Sequence, residues 1–148
     1  MLISQKCLYA LRAVFELSLK DSSEPVKINK IADAQNIPPR FLEIILNQLK
    51  HAGYVDSRRG KSGGYILARD PEELTVGEII STLQGPIERA DKSDTTAQSS
   101  PRRGDYAFAH MWDSIKEALI SIYSNTSFSD LIEMERGRSK SFVINYSI

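Results

Sequence analysis

The chain has 148 residues, 41% of them hydrophobic and 26% charged, with a formal net charge of zero and a single cysteine, Cys7. That length suits one compact domain with an appended element. One thiol excludes an intrachain disulfide framework, and no apolar run reaches the roughly 20 residues that a membrane span needs. Zero net charge argues against a polyanionic partner until the charges are placed. Residues 1–70 hold 11 Lys/Arg against 7 Asp/Glu, whereas residues 71–148 hold 8 against 12. A basic half able to face nucleic acid is thus joined to an acidic one. Met1 to Lys6 lacks the basic-then-apolar order of a signal peptide, so a cytoplasmic location is expected.

In chain order, residues 4–20 read as a helix that Ser4 can cap, with Leu8, Leu11, Phe15 and Leu19 at helical spacing. A loop at 21–25 leads to a short helix over 28–35, whose Ile28, Ile31 and Ala32 face inward. Asn36 suits a left-handed turn. Pro38-Pro39 opens a third helix with a buried stripe of Phe41, Leu42, Ile45, Leu46 and Leu49, and Gly53 ends it. Residues 54–67 read as strand, glycine-rich basic turn, strand. Thr75 and Glu78 fit a capping box, with Ile79, Ile80 and Leu83 on one face and Gly85-Pro86 as the stop. Residues 86–105 have almost nothing to bury and read as a flexible loop. Asp105 can cap the next helix, in which Phe108, Trp112, Ile115, Leu119 and Ile122 follow a 4, 3, 4, 3 spacing, a dimerisation seam. Asn125 ends it, a short turn covers 129–133, and residues 136–148 form a tail.

This order predicts a mainly α fold with a small β-hairpin wing: a winged helix-turn-helix over 1–85, a loop over 86–105, a dimerisation helix and turn over 106–135, and the tail. An amphipathic third helix can lie in a major groove. Its polar front carries Arg40, Glu43, Asn47, Gln48 and Lys50. The hairpin tip places Arg58, Arg59 and Lys61 beside three glycines, which let backbone approach DNA closely, and a protruding arginine suits a narrow minor groove. A solvated helix front and a merely solubilising tip are the plain alternatives for either feature alone.

Several stretches carry a resemblance: Ser4-Gln5-Lys6 with Tyr9-Ala10, Ile31-Ala32, Phe41-Leu42-Glu43, Leu49-Lys50-His51-Ala52-Gly53, Arg59 through Tyr65, and Val76 through Ile80. Over residues 1 to about 131 the sequence resembles the Rrf2 family of bacterial transcription regulators. The resemblance implies a symmetric homodimer on double-stranded operator DNA, with Glu43 at a cytosine edge and Arg59 in the minor groove. Arg40 and Ile44 fall at positions that vary with the operator. Lys6, Arg40, Glu43, Lys50, Arg58, Arg59 and Lys61 are the candidate DNA contacts.

The best-known relatives hold an iron–sulfur cluster on three cysteines in the loop before the dimerisation helix. Counting back from Trp112, those positions here are Asp94, Ser100 and Tyr106, so no cofactor is expected. His110 is one position off the family's histidine and reads as a packing residue. Cys7, near a helix start, is either a redox-active thiol or a small buried apolar residue. The chain is similar to the cluster-free branch, the cysteine-metabolism repressor, through Gly85-Pro86-Ile87 and the ending Asn145-Tyr146-Ser147-Ile148. That likeness implies a cysteine synthase (O-acetylserine sulfhydrylase) partner that captures Tyr146 and Ile148. A different effector, thiol sensing through Cys7, and a protein-only interaction module stay open as alternatives. Catalysis is not expected: His51 and His110 are the only histidines, and no acid–base pair or metal motif is present. Gly60–Gly64 lies in a hairpin rather than a phosphate loop.

Overall fold

The computed structural model describes residues 3–86 and 102–144. Most of the expected 86–105 loop and the tail residues Tyr146 and Ile148 lie outside them. Among the described residues there are six helices and one two-stranded hairpin, the mainly α winged architecture expected.

Ser4 caps α1 (Gln5–Ser18), its hydroxyl accepting from the Cys7 amide at 3.2 Å. The expected stripe of Leu8, Leu11, Phe15 and Leu19 is not the buried one. Cys7, Ala10, Ala13, Val14 and Leu17 are buried, while Leu8 and Leu19 are exposed. The reason is crowding: α1 is packed by α2, α3, α4, α6 and β2, and small side chains let several backbones approach one helix.

Helix α2 (Ile28–Gln35) buries Ile31 and Ala32 and ends at Asn36, in the left-handed conformation (φ 51°, ψ 49°) as expected. Pro38 and Pro39 then open α3 (Pro39–His51), which buries Leu42, Ile45, Leu46 and Leu49. Phe41, expected in that stripe, is instead 57% exposed. At 100° per residue it falls to the side of the buried row.

Strands β1 (Val55–Arg58) and β2 (Gly64–Leu67) pair antiparallel, Val55 opposite Leu67 and Arg58 opposite Gly64. Val26 adds an unforeseen rung. Its amide donates to the Tyr65 carbonyl at 2.8 Å and its carbonyl accepts from the Tyr65 amide at 2.9 Å. This explains two tip glycines differently from the expected approach to DNA. A Cβ at Gly63 would sit 2.3 Å from the Arg58 carbonyl oxygen, and one at Gly64 2.5 Å from that of Val26. The close approach they permit is to the chain's own backbone.

Helix α4 (Val76–Gln84) starts with the expected capping box between Thr75 and Glu78. Partial burial raises the Glu78 pKa, but hydrogen bonds from the Thr75 amide and from Arg69 (2.9 Å) outweigh it and hold the carboxyl below its usual range.

Helix α5 (Asp105–Asn125) is capped by Gly104, not Asp105. Asp105 is its first residue, and its carboxylate accepts from the Arg102 amide at 2.7 Å. The expected short turn over 129–133 is instead the start of a long helix, α6 (Phe128–Ile144), which also takes in the first part of the expected tail. Its start signal was readable. The Ser127 hydroxyl accepts from the Asp130 amide at 3.0 Å, and the Asp130 carboxylate accepts from the Ser127 amide at 2.8 Å.

The α5–α6 corner is strapped to the segment before α4. The Val76 amide donates to the Thr126 carbonyl (2.9 Å), Phe128 to Leu74 (3.0 Å) and Ser129 to Pro71 (3.0 Å). The Phe128 ring is fully buried in the main core with Val14, Leu46 and Leu74. No helix among the described residues is long and apolar enough to cross a membrane.

Candidate nucleic-acid interface

With Leu42, Ile45, Leu46 and Leu49 fixed in the core, helical geometry sets what α3 offers outward. Arg40, Ile44, Asn47 and His51 lie opposite the core; Glu43 and Lys50 form one flank, Phe41 and Gln48 the other. All are exposed. The Lys50 ammonium donates to the Ser57 hydroxyl of β1, so the Glu43 flank is the one beside the wing. On the other side, half-buried Lys6 lines a cleft with Gln48, His51 and Thr82. His51 Nδ1 donates to the Asn47 carbonyl at 2.7 Å, which tethers its ring to the helix.

The two tip arginines differ. Arg58 donates from Nη1 to the Ser23 carbonyl at 3.3 Å and so leans on the loop after α1. Arg59 and Lys61 are exposed and make no hydrogen bond or ion pair among the described residues. A feature absent from the sequence reading is a lysine cluster. Lys20, Lys27 and Lys30 line one cleft with Lys61, alongside Glu16 and Glu24. Thirty or more residues separate Lys61 from the other three, and the Val26–Tyr65 rung holds the segment before α2 against the hairpin.

Arg59→Ala is expected to leave the fold intact, weaken duplex binding, and flatten the salt dependence by about one unit of slope. A fluorescence titration across salt concentrations reads both. Unchanged affinity would remove the wing from the interface.

Away from this surface, α5 has no buried residue within the single chain. Phe108, Trp112, Ile115 and Ile122 of the expected seam are exposed, joined by Met111 and Ile120, while Leu119 is half-buried. Cys7 is fully buried. Burial pushes its thiol pKa up, and the nearby Lys6 charge lowers it by less. That is the opposite of the shift a reactive thiol needs, and it favours the packing role. His110 is exposed, with its ring 6.5 Å from that of Tyr106.

The Rrf2 family model, described as an iron-dependent transcriptional regulator, matches residues 3–134. The chain belongs to the Rrf2 family. It is 30% identical to the HTH-type transcriptional regulator CymR of Bacillus subtilis, over 97% of this chain and 98% of that one. Its fold matches the structure of that global cysteine regulator with a TM-score of 0.75 at 31% identity, covering 90% of this chain and 98% of CymR. It also matches IscR of T. potens with a TM-score of 0.73 at 27% identity, covering 91% and 88%. These relatives are named as regulators, not enzymes, and the Rrf2 protein described here is a winged-helix, DNA-binding transcription regulator of the same kind.

The iron dependence in the family's description has no thiolate set to act through in this member. Its sole cysteine, Cys7, is enclosed at the start of α1. Tyr106, at one of the counted ligand positions, is an exposed ring on α5, and Asp94 and Ser100 lie outside the described residues. A phenol, a carboxylate and a hydroxyl are hard donors, unlike the soft thiolates that hold iron–sulfur clusters.

Proposed function

We propose that this Rrf2 regulator acts in the cytoplasm as a symmetric homodimer that represses by occupying operator DNA. Helix α3 enters the major groove of each half-site, and Arg59 enters the neighbouring minor groove. The observation that carries this reading is the exposed polar front of α3, tied to β1 of the hairpin by the Lys50–Ser57 hydrogen bond, together with Arg59 and Lys61 exposed at the wing tip and without a hydrogen bond or ion pair among the described residues. Arg40, Lys50, Arg58 and Lys61 supply phosphate and base-edge donors along it, and Lys6 supplies one from the cleft side. Glu43 is the discriminating group, because a carboxylate accepts from cytosine N4 and is repelled by phosphate. Selection of duplexes from a random pool tests this. Glu43→Ala is expected to bind with relaxed preference at one base pair per half-site, where a mismatch ordinarily costs about 1–3 kcal/mol. A uniform loss on all sequences would make Glu43 structural.

The likeness to a global cysteine regulator over nearly the whole chain supports a role in cysteine metabolism. In this reading cysteine synthase is the sensing partner, and it takes Ile148, with Tyr146 in support, into its substrate site. So small a contact draws its affinity from a pre-formed pocket rather than from area. Calorimetry against the cognate enzyme is expected to show binding that O-acetylserine competes away and that deletion of Ile148 abolishes. Equal binding without Ile148 would leave the tail out of the mechanism.

A further inference from the structure

We propose that Ile44, with Phe41 beside it, reads the 5-methyl group of thymine in the major groove. The inference rests on the DNA-binding reading above and names part of the base chemistry it selects. Ile44 is 56% exposed and lies opposite the buried row of α3, where Arg40, Asn47 and His51 are polar. Phe41, one turn earlier, is 57% exposed. The core does not use either side chain, and the α5 seam is on a different element. A large apolar group, Ile44, on the outward face among Arg40, Asn47 and His51, with a second, Phe41, on the flank away from Glu43 and Lys50, calls for an apolar counterpart within a polar, anionic partner.

Duplex DNA offers one such group on its major-groove edges, the thymine methyl. The placement along the helix agrees. Recognition helices present their N-terminal residues to base edges, and Phe41 and Ile44 both lie in the first half of α3 (Pro39–His51). Ile44 is one turn from Arg40, a spacing of about 5–6 Å between Cβ atoms, so its methyl partner falls within a base pair or two of the pairs Arg40 and Glu43 address. The half-site is expected to carry thymine next to the cytosine read by Glu43.

The test uses the full chain and the duplex it selects from a random pool. Each thymine of the half-site is replaced in turn by deoxyuridine, which keeps the pairing and removes only the methyl, and affinity is read by fluorescence anisotropy. The chain is expected to lose about fourfold for the methyl that Ile44 covers, at one or two thymines per half-site. Ile44→Ala is expected to bind the thymine and uracil duplexes equally there, with helical content and oligomeric state unchanged because the side chain is exposed. Phe41→Ala is expected to remove a smaller part of the same difference. Indifference of the unaltered chain to every replacement would overturn the inference while leaving operator binding standing. Retention of the full uracil penalty by Ile44→Ala would also overturn it, since the methyl would then act through DNA shape. Enrichment of no sequence at all would overturn the DNA reading beneath it, and binding of Ile44 to another protein instead would have to be sought.

Discussion

A chain carrying Ile115→Glu and Ile122→Glu is expected to fold, to elute as a monomer, and to lose operator affinity by at least about a hundredfold. Both side chains are exposed in the single chain, 40% and 61% respectively, so the substitution removes nothing from the protomer's core. In a dimer the same positions are desolvated against apolar neighbours, where an unpaired carboxylate is strongly unfavourable. The collapse of binding follows from linkage. Two half-sites on one duplex raise the effective concentration of the second recognition helix, commonly worth 10²–10⁴ in affinity, and a monomer forfeits that factor. Light scattering coupled to size exclusion, followed by titration of the full and half operators, checks both parts. A doubly substituted chain that remains a dimer with undiminished affinity would place the dimer contact elsewhere. Leu119→Glu is the less informative variant, because Leu119 is half-buried within its own chain.

The second large effect concerns the wing's attachment. Gly64→Ala is expected to destabilise the fold by on the order of 3 kcal/mol, lowering Tm by about 10 °C. Gly64 has φ +157°, and a methyl there would lie 2.5 Å from the Val26 carbonyl oxygen and 2.6 Å from its carbon. Both are backbone atoms with no rotamer to move aside. Relief has to come from separating Val26 from β2, which breaks the two hydrogen bonds between Val26 and Tyr65. Because that rung carries the loop before α2, the damage extends past the hairpin into the helix-turn-helix. Lys61→Ala, at the exposed tip, is the comparison and is expected to leave Tm in place. A Gly64→Ala chain that melts with the unaltered one would show that the hairpin can shift outward freely.

What the sequence disclosed follows the range of the forces involved. Caps and turns are local, so Ser4, Asn36, the paired prolines and the Thr75–Glu78 box could be read directly. Burial along a helix is set by what packs on it. In α1 the large Leu8 and Leu19 outweighed Ala10 and Ala13 on the page, yet the small residues are the ones enclosed by five neighbouring elements. Phe41 failed for a related reason: next to the buried Leu42, it fits the apolar pattern but falls about 100° around the helix. The Val26–Tyr65 rung and the lysines it brings to Lys61 join residues some forty positions apart, and no local pattern encodes that. The Ser127–Asp130 box, by contrast, was a local signal passed over, and with it the length of α6. The candidate DNA contacts on α3 and the wing tip were legible because polar residues on one helix face and a charged hairpin tip need no tertiary knowledge.

The buried Phe128 has a consequence for how the protein is made. Its ring completes a core of buried residues otherwise drawn from between Ala10 and Ile79, and the straps to Pro71, Leu74 and Val76 come from Phe128 and its neighbours Thr126 and Ser129. The segment holding the candidate DNA contacts, which ends with β2 at Leu67, therefore leaves the ribosome about sixty residues before the side chain that closes its interior. At about 5–20 residues per second that interval lasts a few seconds. Until it ends, the recognition helix rests on an open core, and the residues arriving in the meantime include the whole of α5. The core beneath the candidate DNA-reading surface is thus complete only once α5 has been synthesised, so a half-made chain is expected to be a poor competitor for DNA.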